Sequence, residues 1–188
     1  MEKQRCAWCG DDPLYIAYHD KEWGVPVFDD AILFEFLTLE TFQAGLSWIT
    51  VLRKRENFLA AFDAFDYKKI AEYDQQKIDS LLGDAGIIRN KLKIKAAITN
   101  AIAFMEVQKE FGSFSDYIWG FVNGKPVKNK WASIKDLPAK TALSDSISLD
   151  LKKRGFKFVG STVMYAHMQA TGMVNDHLVS CFRYQEIP

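Results

Sequence analysis

The 188-residue chain has the composition of a folded globular protein. Hydrophobic residues make up 48% of it, enough for the core of one domain or two small lobes. Its 24 basic and 24 acidic residues cancel, so only local basic patches could attract nucleic acid. No apolar run reaches about 18 residues, and no hydrophobic stretch marks a signal peptide. We therefore expect a cytoplasmic protein with no membrane partner.

The hydrophobic pattern predicts an all-α fold. Helical periodicity recurs along most of the chain, whereas the strict alternation typical of strands is absent. The stretch from Asn123 to Pro138 is polar and looks like a long connection. The predicted helices span residues 30–45, 56–64, 67–72, 75–83, 91–110, 114–121, 145–154, 161–171 and 176–183.

The first of these helices carries a carboxylate on its apolar face. The residues of this face are Leu33, Phe36, Leu37, Glu40 and Ala44. A buried carboxylate must be hydrogen-bonded, paired, metal-bound or protonated. If the helix continues, Gln43, Ser47 and Trp48 add an amide, a hydroxyl and an aromatic surface, a set that suits a flat ligand with hydrogen-bond donors. The alternative is that Glu40 caps a neighbouring helix or pairs with an internal arginine.

A short helix, a tight turn at Gly86 and a long helix follow one another between residues 75 and 110. The apolar stripe of the long helix consists of Ile94, Ala97, Ile98, Ala101, Ile102 and Met105. The cations around its start are Arg89, Lys91, Lys93 and Lys95. This pattern predicts a helix-hairpin-helix, which aims backbone N–H groups at phosphate. The alternative, here and for the basic clusters at 53–55 and 152–157, is a solvated surface.

The two ends of the chain hold candidate metal ligands. They are Cys6, Cys9 and His19 near the N-terminus and His177 and Cys181 near the C-terminus. The last two share one face of the helix predicted over 176–183. Three cysteines are an odd count, which argues against a disulfide framework, and a structural zinc needs only four of the five candidates. The alternative is buried thiols and ordinary histidines. We interpret His167 as a packing residue.

Several long segments resemble the bacterial type I 3-methyladenine DNA glycosylases. They are DPLYIAYHD at 12–20, EWGVP at 22–26, QAGLSWITVL at 43–52, DAGIIR at 84–89, KKRGFKFVG at 152–160 and VNDH at 174–177. The likeness covers nearly the whole chain. It departs from the family pattern at Thr41 and Phe42 and is poor over 123–140.

The resemblance implies a helix-hairpin-helix enzyme that flips 3-methyladenine out of alkylated double-stranded DNA. Such an enzyme hydrolyses the N-glycosidic bond, releases the free base and leaves an abasic site. The implied base pocket consists of Glu40, Tyr18, Trp48, Tyr15 and Trp8, with Glu40 as the catalytic candidate. The implied ligands of one structural Zn²⁺ are Cys6, His19, His177 and Cys181, which leaves Cys9 spare. No organic cofactor is expected.

The turn at Gly45 and the predicted hairpin suggest how the protein holds DNA. We expect Leu46, beside Gly45, to fill the gap that a flipped base leaves in the duplex, while Arg89 and Lys91 contact the backbone. The chain is predicted to form one unit over 1–188. In it the segments at about 1–25 and 160–188 make a zinc-bearing lobe, which clasps the termini and packs on a helical lobe at about 30–120. We expect a monomer.

The chemistry of the lesion shapes the expected mechanism. Methylation at N3 makes adenine cationic and weakens its glycosidic bond, so recognition can supply much of the catalysis. An anionic Glu40 would accept hydrogen bonds from the amino edge of the base and disfavour the carbonyl of 7-methylguanine. Asp116, a conceivable catalytic aspartate beyond the hairpin, is better interpreted as part of a helix start. The alternatives are a non-catalytic sensor of damaged bases and a zinc hydrolase, which would need an open metal position.

Overall fold

The computed structural model describes residues 3–188, which fold into a mainly helical protein around one buried core. Within these residues the α-helices are α1 (Pro13–Lys21), α2 (Asp30–Gln43), α3 (Trp48–Leu52), α4 (Arg55–Ala61), α5 (Tyr67–Ala71), α6 (Gln75–Gly83), α7 (Lys91–Phe111), α8 (Phe114–Gly120), α9 (Ala142–Lys153), α10 (Ser161–Ala170) and α11 (Arg183–Glu186). Short 3₁₀ turns occupy Ala7–Cys9, Asp63–Phe65 and Ile134–Asp136. The mainly helical character of the predicted all-α fold is confirmed.

Two short strands join distant parts of the chain. β1 (Val127–Lys128) and β2 (Val174–Asn175) pair in parallel, with Val127 opposite Val174. An isolated bridge between Trp131 and Leu178 continues this contact. The pairing ties the long connection after α8 to the segment that follows α10. Strands of two residues are too short for alternation to reveal them in the sequence.

Helix α2 lies at the centre of the core. Every side chain from Phe36 to Phe42 is buried, and the helix packs against α3, α7, α8 and α10. Asp29 fixes its start, because the side chain accepts hydrogen bonds from the first-turn N–H groups of Ala31 and Ile32. A helix that is apolar on nearly all sides has to be buried. Glu40 is therefore carried into the interior.

The helix predicted over 176–183 is wrong. Residues 176–178 are irregular apart from the bridge at Leu178, residues 179–182 form turns, and the last helix begins only with α11. The reason is the buried carboxylate of Asp176, which caps no helix. It accepts hydrogen bonds from the side chains of Asn129, Trp131, Tyr165 and Gln169.

Other differences concern helix ends and two short helices. The prediction did not include α1 or α3, and it extended the helix of residues 30–45 beyond its end at Gln43. Gly45 ends that helix with a φ of 82°, a backbone conformation that favours glycine. Helix α9 begins three residues earlier than predicted because Thr141 and Ser144 form a capping box. No helix within residues 3–188 is long and apolar enough to cross a membrane.

Candidate active site and metal cluster

A cavity of about 210 Å³ lies beside the C-terminal half of α2. Pockets for drug-sized ligands span roughly 300–1,000 Å³, so this smaller cavity suits a single flat ring system. The residues that line it are Trp8, Tyr15, Tyr18, Trp23, Glu40, Gln43, Trp48, Ile134, Leu137, Ala166 and Gln169. The five residues predicted for the base pocket therefore share one cavity.

Glu40 is the acidic residue of this cavity. Its side chain belongs to a residue that is only 3% exposed, and Oε2 has no hydrogen-bond partner within residues 3–188. Burial raises the pKa of Glu40 from its ordinary 4.5 to about 8. The guanidinium of Arg55, an internal arginine, is held instead by Glu22 and Glu35, at 2.6 and 2.7 Å. The alternatives in which Glu40 caps a helix or pairs with an arginine are therefore wrong.

Aromatic side chains form the walls around Glu40. The ring centroids of Tyr18 and Trp48 lie 5.4 Å apart, and those of Trp8 and Tyr15 lie 4.9 Å apart. Trp23 extends the second group, with its ring centroid 4.9 Å from that of Trp8. Desolvation by burial raises the pKa of Tyr18 well above its usual range, so its hydroxyl stays protonated. Such walls offer stacking faces and exclude water.

The stripe predicted from Glu40 through Ser47 is only partly realised. Because the chain turns at Gly45, Trp48 reaches the cavity from the separate helix α3. Ser47 is exposed and lies 2.7 Å from the hydroxyl of Thr50, outside the cavity lining. The prediction was wrong because it continued the helix of residues 30–45 through Gly45.

Five cavity residues escaped the sequence analysis, namely Trp23, Ile134, Leu137, Ala166 and Gln169. Trp23 lies in the EWGVP motif, so its place in a motif-rich segment was an available signal. Ile134 and Leu137 belong to the long connection, where the resemblance is poor. They reach the cavity only because the connection is anchored to β2 and Asp176, which no local pattern reveals.

Four donors from the two ends of the chain converge in the interior. The ligand atoms of Cys6, His19, His177 and Cys181 all lie within 4.8 Å of one another, and all four residues are buried. Cys181 Sγ is 3.5 Å from both His19 Nε2 and His177 Nδ1, and Cys6 Sγ is 3.7 Å from His177 Nδ1. A tetrahedral zinc bound by two sulfurs and two nitrogens would separate its ligands by about 3.3–3.8 Å. The geometry therefore fits a metal ion.

Outer hydrogen bonds orient both imidazoles of this cluster. His19 Nδ1 lies 2.8 Å from Asp20 Oδ1, and Asp20 also receives the guanidinium of Arg5. His177 Nε2 lies 3.0 Å from the carbonyl oxygen of Trp23. Carboxylate and carbonyl partners of this kind are typical of metal-ligating histidines. They leave His19 Nε2 and His177 Nδ1 directed at the cluster.

The thiols of the cluster differ in acidity. Hydrogen bonds to Cys6, His177 and His19 lower the pKa of the Cys181 thiol, whereas the shared proton and burial raise the pKa of Cys6. Cys9 lies outside the cluster, and its thiol donates to the backbone carbonyl of Cys6 at 3.1 Å. The lowered pKa of the Cys181 thiol favours the deprotonated form that binds a metal ion.

Two other residues that the sequence analysis weighed lie away from the cavity. His167 is fully buried on α10, and desolvation lowers its pKa to about 4, so it is neutral and packed in the core. Asp116 is exposed in the first turn of α8, where its N–H donates to the capping side chain of Ser113. It does not line the cavity.

The hairpin between α6 and α7 has a braced turn. Lys54 donates to the carbonyl oxygens of Ala85 and Gly86, each at 3.1 Å, and so draws them inward. The N–H groups of Ile88 and Arg89 have no hydrogen-bond acceptor within residues 3–188. The turn thus presents free backbone donors, as an anion site requires.

The predicted DNA contacts differ in exposure. Leu46 is 42% exposed at the turn after α2, and Arg89 and Lys91 are exposed around the start of α7. Lys93, in contrast, is buried, and its ammonium donates to the carbonyl oxygens of Phe42 and Ala44 at 2.7 and 2.6 Å. Its inclusion among the DNA-facing cations of the hairpin is therefore wrong, and it instead joins α7 to the turn that carries Leu46.

Internal ion pairs occupy much of the other basic clusters. Arg53 pairs with Asp12 at 2.6 Å. Arg154 bonds to Asp150 and Glu110, both at 2.7 Å. The remaining lysines of the second cluster, at 152, 153 and 157, are exposed and form no ion pair within residues 3–188.

A helical fold with an aromatic cavity around one unpaired carboxyl group defines a protein that can bind a small flat base. The sequence model of the family described as methyladenine glycosylase matches residues 8–184. The chain belongs to this family.

Individual members of known name are similar to this chain over almost their full length. The chain is 51% identical over 181 residues to DNA-3-methyladenine glycosylase 1 of Escherichia coli strain K12, covering 96% of this chain and 97% of the relative. It is 50% identical to the DNA-3-methyladenine glycosylase of Haemophilus influenzae, covering 94% and 96% of the two chains. A crystal structure of 3-methyladenine DNA glycosylase I superposes with a TM-score of 0.93 at 52% identity, covering 95% and 98%.

A more distant structure adds information on a ligand. It describes 3-methyladenine recognition by 3-methyladenine DNA glycosylase I from Staphylococcus aureus. It is 35% identical to this chain, with a TM-score of 0.93 and coverage of 98% and 96% of the two chains.

Proposed function

We propose that the protein is a monofunctional glycosylase of base-excision repair that removes 3-methyladenine from alkylated DNA. The function rests on membership of the methyladenine glycosylase family and on relatives at about 50% identity with this activity in their names. We assign the function to this cavity because of Glu40. Its carboxyl group is buried between aromatic walls and has no hydrogen-bond partner at Oε2 within residues 3–188. A hydrolase of N-glycosyl bonds needs to capture and hold one base in such a place.

Charge complementarity explains capture of the damaged base. At pH 7 a carboxyl with a pKa of about 8 holds its proton, and removing it costs about 1.4 kcal/mol. A cation about 4 Å away contributes roughly 4 kcal/mol at an effective dielectric constant of about 20. The cationic base therefore ionises Glu40 when it binds. Neutral adenine offers no such compensation, so the cavity discriminates by charge.

Shape and hydrogen bonding add to this selection. Trp48 and Tyr18 are placed to stack on the faces of the base, while Tyr15 and Trp8 close the cavity around it. The carboxylate of Glu40 accepts hydrogen bonds from the amino edge of the purine. A guanine lesion presents a carbonyl at the same edge and would face another acceptor. We therefore expect 7-methylguanine to be a poor substrate.

Cleavage needs little further activation. When the glycosidic bond breaks, its electron pair moves to the base and cancels the positive charge. Water then bonds to the sugar carbon, loses a proton and leaves an abasic site. Because the positive charge passes from the base to the sugar as the bond breaks, the role of Glu40 is to recognise the cationic base, and its electrostatic support of cleavage is directed at the charge that develops on the sugar. Asp116, exposed on α8 away from the cavity, takes no part.

The DNA contacts are proposed from exposure and free donors. The N–H groups of Ile88 and Arg89, with the charges of Arg89 and Lys91, would hold a phosphate in helix-hairpin-helix fashion. Leu46, exposed beside Gly45, would enter the duplex where the base leaves.

The metal cluster is proposed to hold one structural Zn²⁺. Its donors are two sulfurs and two nitrogens at separations suited to tetrahedral coordination, supplied by Cys6, His19, His177 and Cys181. When bound, zinc would supply a cross-link between the two ends of the chain. Four protein ligands saturate a tetrahedral ion, so we assign it no hydrolytic role.

The proposed arrangement of lobes follows from this cross-link. The segments at about 1–25 and 160–188 would form the zinc-bearing lobe against the helical lobe at about 30–120, although the first two residues lie outside those described. One chain supplies Glu40, the aromatic walls and the hairpin, so a monomer suffices. Because chromosomal DNA is the proposed substrate, we place the enzyme in the bacterial cytoplasm.

The test is chromatography of the free bases released from methylated duplex DNA. We expect release of 3-methyladenine with little 7-methylguanine, and strongly reduced release by the Glu40→Gln variant. Tight binding to the damaged DNA without any release would favour a non-catalytic sensor. Unchanged release by Glu40→Gln would remove Glu40 from the mechanism.

A further inference from the structure

Gln169 reaches the cavity of Glu40 from a different helix. It lies near the end of α10, which packs against α2, and it lines the same cavity. Its carbonyl oxygen accepts the N–H of Gly24 at 3.0 Å. This hydrogen bond ties the end of α10 to the segment that follows α1.

The amide of Gln169 has one defined orientation. Its Nε2 donates to Asp176 Oδ2 at 2.8 Å. Asp176 is buried and also accepts from Tyr165 at 2.5 Å, Asn129 at 2.6 Å and Trp131 at 2.8 Å. A flipped amide would place Oε1 against an oxygen that acts only as an acceptor, so the flip is excluded. Oε1 accordingly faces away from Asp176.

The freed oxygen is an acceptor without a partner. Oε1 of Gln169 accepts no hydrogen bond within residues 3–188, although the residue is only half-buried at the cavity. Gln43, the other amide of the lining, has no side-chain hydrogen bond within the same residues and is free to turn either way. Of these two amides, Gln169 is the one that presents an oriented acceptor, and an oriented group can discriminate between donors and acceptors.

We propose that Gln169 is a specificity residue whose Oε1 accepts a hydrogen bond from the 6-amino group of the flipped adenine. The assignment rests on the proposed function. An exocyclic amine has two N–H groups, and Glu40 and Gln169 supply one acceptor for each. A guanine lesion, with a carbonyl at this position, meets two acceptors at once.

The experiment compares two free bases and two variants of the full-length, zinc-loaded protein. The bases are 3-methyladenine and 3-methylpurine, which has the same ring and methyl group without the amine. The variants are Gln169→Met and a matched control, Gln108→Met. Gln108 likewise donates Nε2 to a carboxylate, that of Asp30 at 2.7 Å, but lies away from the cavity. Affinities are measured by titration calorimetry, and thermal unfolding verifies the fold.

We expect Gln169→Met to weaken binding of 3-methyladenine about tenfold, the equivalent of one hydrogen bond, and to leave binding of 3-methylpurine within about twofold. The control should change neither affinity. If Gln169→Met does not fold, Gln169→Leu offers a second packing solution. Equal losses for the two bases, or no loss for either, would overturn the assignment. Release of 3-methyladenine from methylated duplex DNA by the wild-type protein, measured in parallel, tests the proposed function separately, and its absence would refute that function.

Discussion

Replacement of Glu40 by glutamine should stabilise the folded protein near neutral pH. The substitution keeps the size of the side chain and removes the ionisable group. In the folded state burial raises the pKa of Glu40 to about 8, whereas the unfolded chain titrates near the ordinary value of 4.5. The wild-type protein must therefore take up a proton on folding at neutral pH, and the variant need not.

The size of the effect follows from the two pKa values. Below pH 4.5 the carboxyl is protonated in both states, so it contributes no penalty. As the pH rises, the unfolded chain loses its proton first, and the folded state loses relative stability until the pH passes about 8. The penalty is about 1 kcal/mol at pH 5, about 3 kcal/mol at pH 7 and approaches about 5 kcal/mol above pH 8. Glu40→Gln removes it.

Urea unfolding followed by tryptophan fluorescence measures this difference. The free energies of unfolding of the wild type and of Glu40→Gln are compared between pH 5 and 8.5. Glu106→Gln is the matched control, because Glu106 is exposed on α7 and pairs with Lys109. We expect the gain from Glu40→Gln to grow with pH and the control to stay flat. A gain that does not change with pH would mean that Glu40 is already charged in the folded protein, and the reasoning would fail.

Three further substitutions test other parts of the structure. Lys93→Met should lower the free energy of unfolding by about 2 kcal/mol, because the carbonyl oxygens of Phe42 and Ala44 lose a charged donor. Urea unfolding measures this loss, and an unchanged free energy would contradict the prediction. Cys181→Ala should reduce thermal stability more than the rate of base release by the folded fraction, and the opposite order would argue against a structural clasp. Leu46→Ala should slow release from duplex DNA about tenfold but spare single-stranded DNA, since unstacking a base costs a few kcal/mol; equal effects on both substrates would rule out a wedge.

The site residues that could be predicted from the sequence are those of an unusual type for their position or of a recognisable spacing. Glu40 stood out because a carboxylate lay on an apolar helix face, and the structure shows it buried. His177 and Cys181 stood out as metal-ligand types at a suitable spacing. The helix assumed for them is wrong, yet both side chains join the cluster, because a tight turn with Cys181 N–H on the carbonyl of Leu178 also brings them together.

The parts that were missed depend on long-range contacts. Gln169 looks like an ordinary polar helix residue in the sequence. Its proposed role depends on Asp176, which orients its amide, and on a cavity that other segments of the chain form. Ile134 lies in a polar connection without a clear pattern, and a two-residue strand brings it to the cavity. Lys93 looked like one more cation of the hairpin. Its burial against the end of α2 arises from the packing of α7, which periodicity describes only as a stripe.

The pairing of Arg55 bears on the proposed selection of a cationic base by the cavity. Its guanidinium lies over the ring of Phe36 and is bonded to two carboxylates, Glu22 and Glu35. If it paired with Glu40, the carboxylate would be satisfied before any ligand arrived, and a cationic base would have to displace it. Because Arg55 is bonded to other carboxylates and the cavity walls are uncharged, Glu40 has no cationic partner within residues 3–188. Under the proposed function, the charge of the methylated base would compensate the carboxylate of Glu40, which no cation of the described residues does.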